Sequence, residues 1–154
     1  MLFMIKHYTS TAILVTNTKP RKVLLGLHQK LQMWLPPGGH QEENENPFEA
    51  LIRETKEETG FDVSAYLPKT KILDERVSSL PVPDYLFEEL IPARGEKPEH
   101  IHMDFVYVIE VSEFIPQFPE REYQMMQWIG EGDVAGLPLY PNIKDIILPR
   151  CFTF

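Results

Sequence analysis

A chain of 154 residues, 43% of them hydrophobic, is long enough for one domain spanning 1–154 with a sizeable core, and too apolar for general disorder. Lys and Arg number 15 against 23 Asp and Glu, a net charge of −8, which argues against a duplex nucleic-acid partner, since such binders present a basic face. Small phosphorylated ligands stay compatible with an acidic protein, because a bound cation can supply the missing positive charge.

The apolar opening Met1-Leu2-Phe3-Met4-Ile5 stops at Lys6, far too short for a membrane span. No signal-peptide pattern is present, and Cys151, the one cysteine, has no partner for a disulfide; the expectation is a cytoplasmic setting without a membrane partner. Thr9–Thr16 and Lys22–Leu27 are runs of β-branched and apolar residues separated by Asn17-Thr18-Lys19-Pro20, the pattern of a hairpin of buried strands. A Pro-Gly loop, Leu35-Pro36-Pro37-Gly38-Gly39, leads through an acidic segment into a helix over residues 46–61. Strands are expected at Thr70–Val77, Ile101–Val111 and Gln124–Ile129. Between Leu80 and His100 stand Pro81, Pro83, Pro92 and Pro98, so this stretch reads as a long surface loop with at most edge strands. Asn142–Leu148 reads as a closing amphipathic helix with Asn142 as N-cap. Strands interleaved with two helices give an α/β layered domain.

Residues 46–61 carry most of the information. Asn46 is a good N-cap, Pro47 suits the first helical position, Glu49 completes a capping box, and Gly60 supplies the stop. At about 100° per residue, Phe48, Leu51, Ile52, Thr55 and Thr59 form one packing stripe. Glu54, Glu57 and Glu58, at i, i+3 and i+4, converge elsewhere, with Arg53 one turn before Glu57. Like charges at this spacing cost roughly 0.2–0.5 kcal/mol per pair. Anions in the last turn oppose the helix dipole by roughly 0.3–1 kcal/mol more. A helix that is well capped yet breaks charge placement at its end is a candidate functional site, and converging carboxylates suit a hard cation such as Mg²⁺ or Mn²⁺. The competing reading is a solvated acidic face. Two neighbours weigh against it: Gly38-Gly39, where the backbone can approach a ligand closely, and the further carboxylate of Glu45.

Together these residues resemble the Nudix box, G-x5-E-x7-R-E-U-x-E-E-x-G-U, with U bulky and apolar. Gly39, Glu45, Arg53, Glu54, Glu57, Glu58 and Gly60 stand at the family's spacing, and Phe61 fills the final apolar position. Thr55 departs from the family's preference for Ile, Leu or Val; it lies on the packing stripe, where it touches stability rather than chemistry. The lead-in Trp34-Leu35-Pro36-Pro37-Gly38-Gly39 is similar to that of many members.

The resemblance implies a Nudix-type α/β/α sandwich, with a mixed β-sheet on which the box helix packs. It also implies metal-dependent hydrolysis of a nucleoside diphosphate linked to another moiety, by attack of water on phosphorus, with Mg²⁺ or Mn²⁺ as cofactor. Residue by residue, it makes Glu57 and Glu58 metal ligands and Glu54 a ligand, a base for water, or both. Gly38 offers a backbone carbonyl to the metal, Arg53 orients the glutamates, and Glu45 steadies the loop and helix start. A further acid outside the box is often recruited; the candidates are Glu120 and, slightly ahead, Glu122.

Candidate substrate-binding residues are Trp34 and Gly39 in the loop, and His100 and His102, which share one face of a strand with Asp104. The two histidines also suit a transition-metal pair or a solvent-facing edge. Tyr107 is read as core. The substrate's second moiety is not legible, and a small-molecule nucleotide is the expected partner; a homodimer is compatible with the sequence. Two other functions compete: a Nudix-like sensor that binds nucleotide without cleaving it, and a protein-interaction domain using the Pro-rich loop at 81–98, which could instead be a lid. Sensors of this kind typically lose box glutamates, and this chain keeps them.

Overall fold

The structure, a computed structural model, describes residues 3–153; Met1 and Leu2 of the apolar opening, and Phe154, lie outside the described residues. β1 (Lys6–Thr16), β2 (Lys22–His28), β3 (Trp34–Leu35) and β4 (Gly38–His40) come first, followed by α1 (Pro47–Thr59). A two-residue hairpin, β5 (Lys71–Ile72) and β6 (Ser78–Ser79), precedes β7 (Tyr85–Ile91), β8 (His100–Val111) and β9 (Tyr123–Gly130). The chain closes with α2 (Glu131–Val134), a π-helical turn over Asn142–Ile147 and α3 (Leu148–Phe152).

One mixed sheet dominates, in the order β3-β2-β1-β8-β7, with β4 on β1 and β9 on β2. Its spine is the parallel pairing of β1 with β8, continuous from Lys6 opposite Ile101 to Thr16 opposite Val111. β1 and β2 form the expected hairpin, but touch in register only at Val15 and Val23; toward its start β1 instead pairs with β4, Thr9 opposite His40 and Thr11 opposite Gly38. This insertion of β4 brings the Gly-Gly loop onto the central strand.

Side chains alternate across the sheet with period two. Ala12 and Leu14 of β1 and Tyr107 and Ile109 of β8 face α1, meeting Leu51 in one buried cluster. Ile13, Val15 and Val106 face the other way, onto Ile143, Ile147 and Leu148 at the chain's end. On that second face, nearer the strand starts, His7, Thr9 and Thr11 of β1 and His100, His102 and Asp104 of β8 line a cavity instead of core. The expected mixed sheet with the box helix packed on it is therefore present.

Two expectations change, at Thr70–Val77 and at Asn142, while the edge strand allowed for in the Pro-rich stretch forms. Thr70–Val77 is not one strand, since only the short β5–β6 ladder forms there, with Asp74 accepting the Arg76 and Val77 N–H groups in the connecting turn. The Pro-rich stretch holds a seven-residue edge strand, β7, antiparallel to β8; Pro83 and Pro92 fall outside it, so its ladder loses no donor. Asn142 does not cap a helix: Pro141 precedes the turn, and Asn142 Nδ2 donates to Glu89 Oε1 at 3.0 Å. The helix restarts at Leu148 because Pro149, lacking an N–H, fits the first turn of α3.

Candidate active site

α1 starts as its sequence dictates. The Asn46 side chain accepts from the Glu49 N–H at 2.9 Å, and Glu49 Oε2 accepts from the Asn46 N–H at 3.0 Å; Gly60 ends the helix at φ 76°. Ser10 Oγ donates to the Pro47 carbonyl at 2.6 Å, pinning this helix start to β1. Leu51, Thr55 and Thr59 are buried, with Phe48 and Ile52 half-buried beside them. Thr55 is accommodated because its hydroxyl donates to the Leu51 carbonyl one turn back, at 2.7 Å.

β4 and α1 meet through two glycines. A Cβ on Gly38 would stand 2.4 Å from the Ser10 carbonyl oxygen, and one on Gly39 would stand 2.4 Å from Glu54 Cδ. Space, not φ, demands glycine at both positions. The Gly38 N–H donates to Glu58 Oε2 at 3.0 Å, and the Tyr123 hydroxyl donates to the same oxygen at 2.9 Å. Both bonds converge on Oε2. Glu58 is only 7% exposed, and burial pushes its carboxyl up to about 8, helped by the charges of Glu54 and Glu122. Burial also raises Glu54, with Glu57 and Glu122 adding to it and Arg53 opposing.

Arg53 is the organiser. Its Nε and Nη2 form a fork on Glu45 at 2.5 and 2.9 Å, Nη2 also reaches the His40 carbonyl at 3.0 Å, and Nη1 bonds Glu54 Oε1 at 2.8 Å. Glu57 receives Nη1 at 3.3 Å but is mostly exposed. The Arg53 fork holds the Glu45 carboxyl below its ordinary value, chiefly through those hydrogen bonds. Glu45 thus serves the loop and helix start, and the expected pairing of Arg53 with Glu57 is the longest of its hydrogen bonds.

Of the residues singled out in the sequence, Gly38, Gly39, Arg53, Glu54 and Glu58 are joined by these contacts, and Glu57 by its bond to Arg53. Glu122 lies close enough to raise both Glu54 and Glu58, and its side chain is half exposed. The Glu120 carbonyl accepts from Gln29. Trp34 sits apart, 8% exposed among core side chains and outside the cavity lining. Tyr107 is core, its hydroxyl donating to the Pro81 carbonyl. Cys151 is buried, its thiol pushed up to about 11 by that burial.

A cavity of about 970 Å³ runs from Glu58, Gly38 and Gly39 to the histidines, with Arg94 and Lys97 on its rim segment. His100 and His102 face it as a pair, their Nε2 atoms 3.1 Å apart. Burial and three neighbouring histidines push His102 down to about 4. Two of those neighbours, His7 and His40, escaped the sequence reading. His7 lies directly opposite His102 in the parallel ladder and His40 stands opposite Thr9. Only the strand order, which local pattern does not reveal, brings them together. Tyr123, the second donor to Glu58, was also missed; a tyrosine at a strand start carries no signal of its partner.

The glutamates fit a divalent cation. Three carboxylates and Glu122 crowd together with one guanidinium, most of whose N–H groups Glu45 and His40 already take. The buried carboxyl of Glu58 favours its proton until an added positive charge offsets burial, and an all-oxygen set suits Mg²⁺ or Mn²⁺. Among the described residues, no helix is long and apolar enough to cross a membrane.

Comparison with known proteins agrees with this fold. A family model described as NUDIX domain matches residues 6–151. The chain is 25% identical over 134 residues to a bis(5'-nucleosyl)-tetraphosphatase (asymmetrical) of Sus scrofa, covering 86% of this chain and 80% of that protein. It is 30% identical over 109 residues to a probable DHNTP pyrophosphohydrolase of Lactococcus lactis subsp. cremoris, covering 71% of this chain and 58% of that protein. Among solved structures, a NUDIX-family hydrolase from Clostridium perfringens is 28% identical with a TM-score of 0.68, over 95% of this chain and 96% of that one. A C. elegans Ap4A hydrolase shares the fold at 18% identity and a TM-score of 0.60, over 96% and 95% of the two chains. With all seven fixed residues of the box, the sheet that carries it and the match over residues 6–151, this chain belongs to the NUDIX domain family and is a hydrolase of phosphoric anhydride bonds.

Proposed function

We propose that this Nudix hydrolase is a metal-dependent pyrophosphohydrolase that cleaves a nucleoside diphosphate linked to another moiety, and that dinucleoside polyphosphates are its first substrates to test. The observation that carries the reaction is the contact set joining Gly38 and Gly39 to Glu58 and Glu54, with Arg53 holding Glu54 and Glu57 in place. The substrate choice rests on the pig tetraphosphatase, similar over 86% of this chain, and on a cavity large enough for an extended nucleotide, with Arg94 and Lys97 at hand for phosphate charge.

Glu57, Glu58, Glu54 and the Gly38 carbonyl would hold Mg²⁺ or Mn²⁺, which when bound cancels diphosphate charge and makes an attacking water more acidic. Glu54, half-buried and raised above the ordinary carboxylate range, accepts the proton as water oxygen bonds to phosphorus and the bridging P–O bond breaks. Arg53 fixes the Glu54 rotamer so that this base meets the water in one geometry. Glu58, anchored by Gly38 and Tyr123, keeps β4 and the helix end in register. Glu122 supplies further negative charge beside Glu54 and Glu58, and His100, His102 and Gly39 line the substrate's side of the cavity. A cytoplasmic setting belongs to the same proposal.

The test is product analysis on a panel of nucleoside triphosphates, sugar nucleotides and dinucleoside polyphosphates, with Mg²⁺, with Mn²⁺ and with chelator. Metal-dependent release of two phosphorylated products, fastest from a dinucleoside tetraphosphate, is expected. Nucleotide binding without product would instead make the domain a sensor.

A further inference from the structure

We propose that His7, His40, His100 and His102 form a second metal site, separate from the box glutamates, that binds one borderline transition-metal dication of the Zn²⁺ type. Each residue presents one ring nitrogen, and these atoms all lie within 4.8 Å of one another. A tetrahedral site with Zn–N bonds of about 2.0–2.1 Å places its ligand nitrogens about 3.3 Å apart. The Nε2 atoms of His100 and His102 already stand at 3.1 Å, and the His7 and His40 nitrogens, within 4.8 Å of them, must close to that spacing when the ion binds.

Three features show that the histidines are prepared for a ligand. His100 Nδ1 bonds the Pro98 carbonyl at 2.9 Å; a carbonyl only accepts, so Nδ1 carries the proton and a neutral ring leaves its Nε2 lone pair facing His102. This is the outer hydrogen bond by which metal-binding imidazoles are commonly oriented. His7 Nδ1 is buried without a hydrogen-bond partner among the described residues, a cost that a metal bond would remove. The rings also pack against each other, His7 on His100 and His40 on His102 with centroids 4.8 Å apart in each case.

The ligands come from three strands, β1, β4 and β8, whose pairing fixes their spacing. Imidazole nitrogens select Zn²⁺, Co²⁺ or Ni²⁺, whereas the carboxylates of the box select Mg²⁺ or Mn²⁺. Four protein ligands make a closed site, so the metal acts as a clamp. It ties β4, whose Gly39 abuts Glu54, to β1 and β8 on the cavity wall.

The test uses the full chain without an affinity tag, stripped with chelator and titrated with Co²⁺ in excess Mg²⁺. One equivalent should bind with the visible bands of tetrahedral Co²⁺ on nitrogen ligands, be displaced by Zn²⁺, and raise Tm. The same spectrum should appear in Glu57→Gln, which alters the box alone. His40→Ala, at an exposed position, should keep the fold and weaken Co²⁺ binding by more than the roughly 10–100-fold that a lost supporting contact costs; His7→Ala should do the same. Absence of the bands in the parent chain, or bands that survive His40→Ala and vanish in Glu57→Gln, would overturn the proposal.

Discussion

The Glu54 carboxylate occupies the space that a side chain on Gly39 would need, a Cβ there standing 2.4 Å from Glu54 Cδ. Gly39→Ala therefore pushes the proposed base aside, since the three atoms nearest the new Cβ all belong to that carboxylate. We expect kcat to fall at least tenfold with Tm changed by only a few degrees, measured by steady-state kinetics and thermal unfolding. Gly38→Ala meets the Ser10 backbone instead and should cost about 1–3 kcal/mol of stability. Equal losses of Tm in both variants would contradict this division.

Arg53 touches Glu45, Glu54 and Glu57 at once. Arg53→Lys keeps the charge but not the planar fork, so turnover should drop by about 10–100-fold. Glu45→Gln should lose less, since the other contacts of Arg53 persist. The ratio of the two kcat values checks the orienting role, and a Lys variant with full turnover would remove it.

Leu51 is fully buried between α1 and the sheet. Leu51→Ala should cost about 2–5 kcal/mol, a Tm decrease of at least roughly 4 °C for a domain of this size. Phe48, only half-buried, was expected from its stripe to be core; Phe48→Ala should cost less than the about 3–5 kcal/mol typical of a fully buried aromatic. Chemical denaturation of both variants decides this.

Stability should depend on pH in a way that Glu58 dictates. Its carboxyl is pushed from an ordinary 4.5 up to about 8, so between those values the folded chain holds a proton that the unfolded chain lacks. The associated stabilisation is complete below about pH 4.5 and is lost as pH rises through about 8, at up to roughly 1.4 kcal/mol per pH unit. Glu89, raised to about 7, acts in the same sense; His102, lowered to about 4, acts oppositely below 6.5. In chelator, Glu58→Gln should flatten the decline between pH 6.5 and 8. An unchanged slope would contradict the burial of an ionisable Glu58. Mg²⁺ should reduce the decline in the parent chain, because it favours the ionised form.

What the sequence disclosed follows from how local each feature is. α1 was legible to the residue, because Asn46, Pro47, Glu49 and Gly60 act within one turn of themselves. The strand at β8 was legible because its apolar run exceeds any turn signal. The burial of Glu58 was not, since it depends on Tyr123, 65 positions away. The four-histidine cluster was half seen: His100 and His102 share a face by alternation, but His7 and His40 join them only through the parallel β1–β8 ladder and the insertion of β4. At Asn142 the local signal for a cap lost to Glu89, a tertiary partner that satisfies the same side chain.

The most direct test of the whole reading is the turnover of Glu57→Gln with Mg²⁺, on the best substrate of the panel, beside its Tm. Glu57 is exposed, and Arg53 is its one hydrogen-bond partner among the described side chains, so the substitution should leave Tm within a few degrees. Turnover lower by at least about a thousandfold at unchanged Tm is the predicted result. Turnover within a few-fold of the parent chain would contradict a catalytic role for the box glutamates.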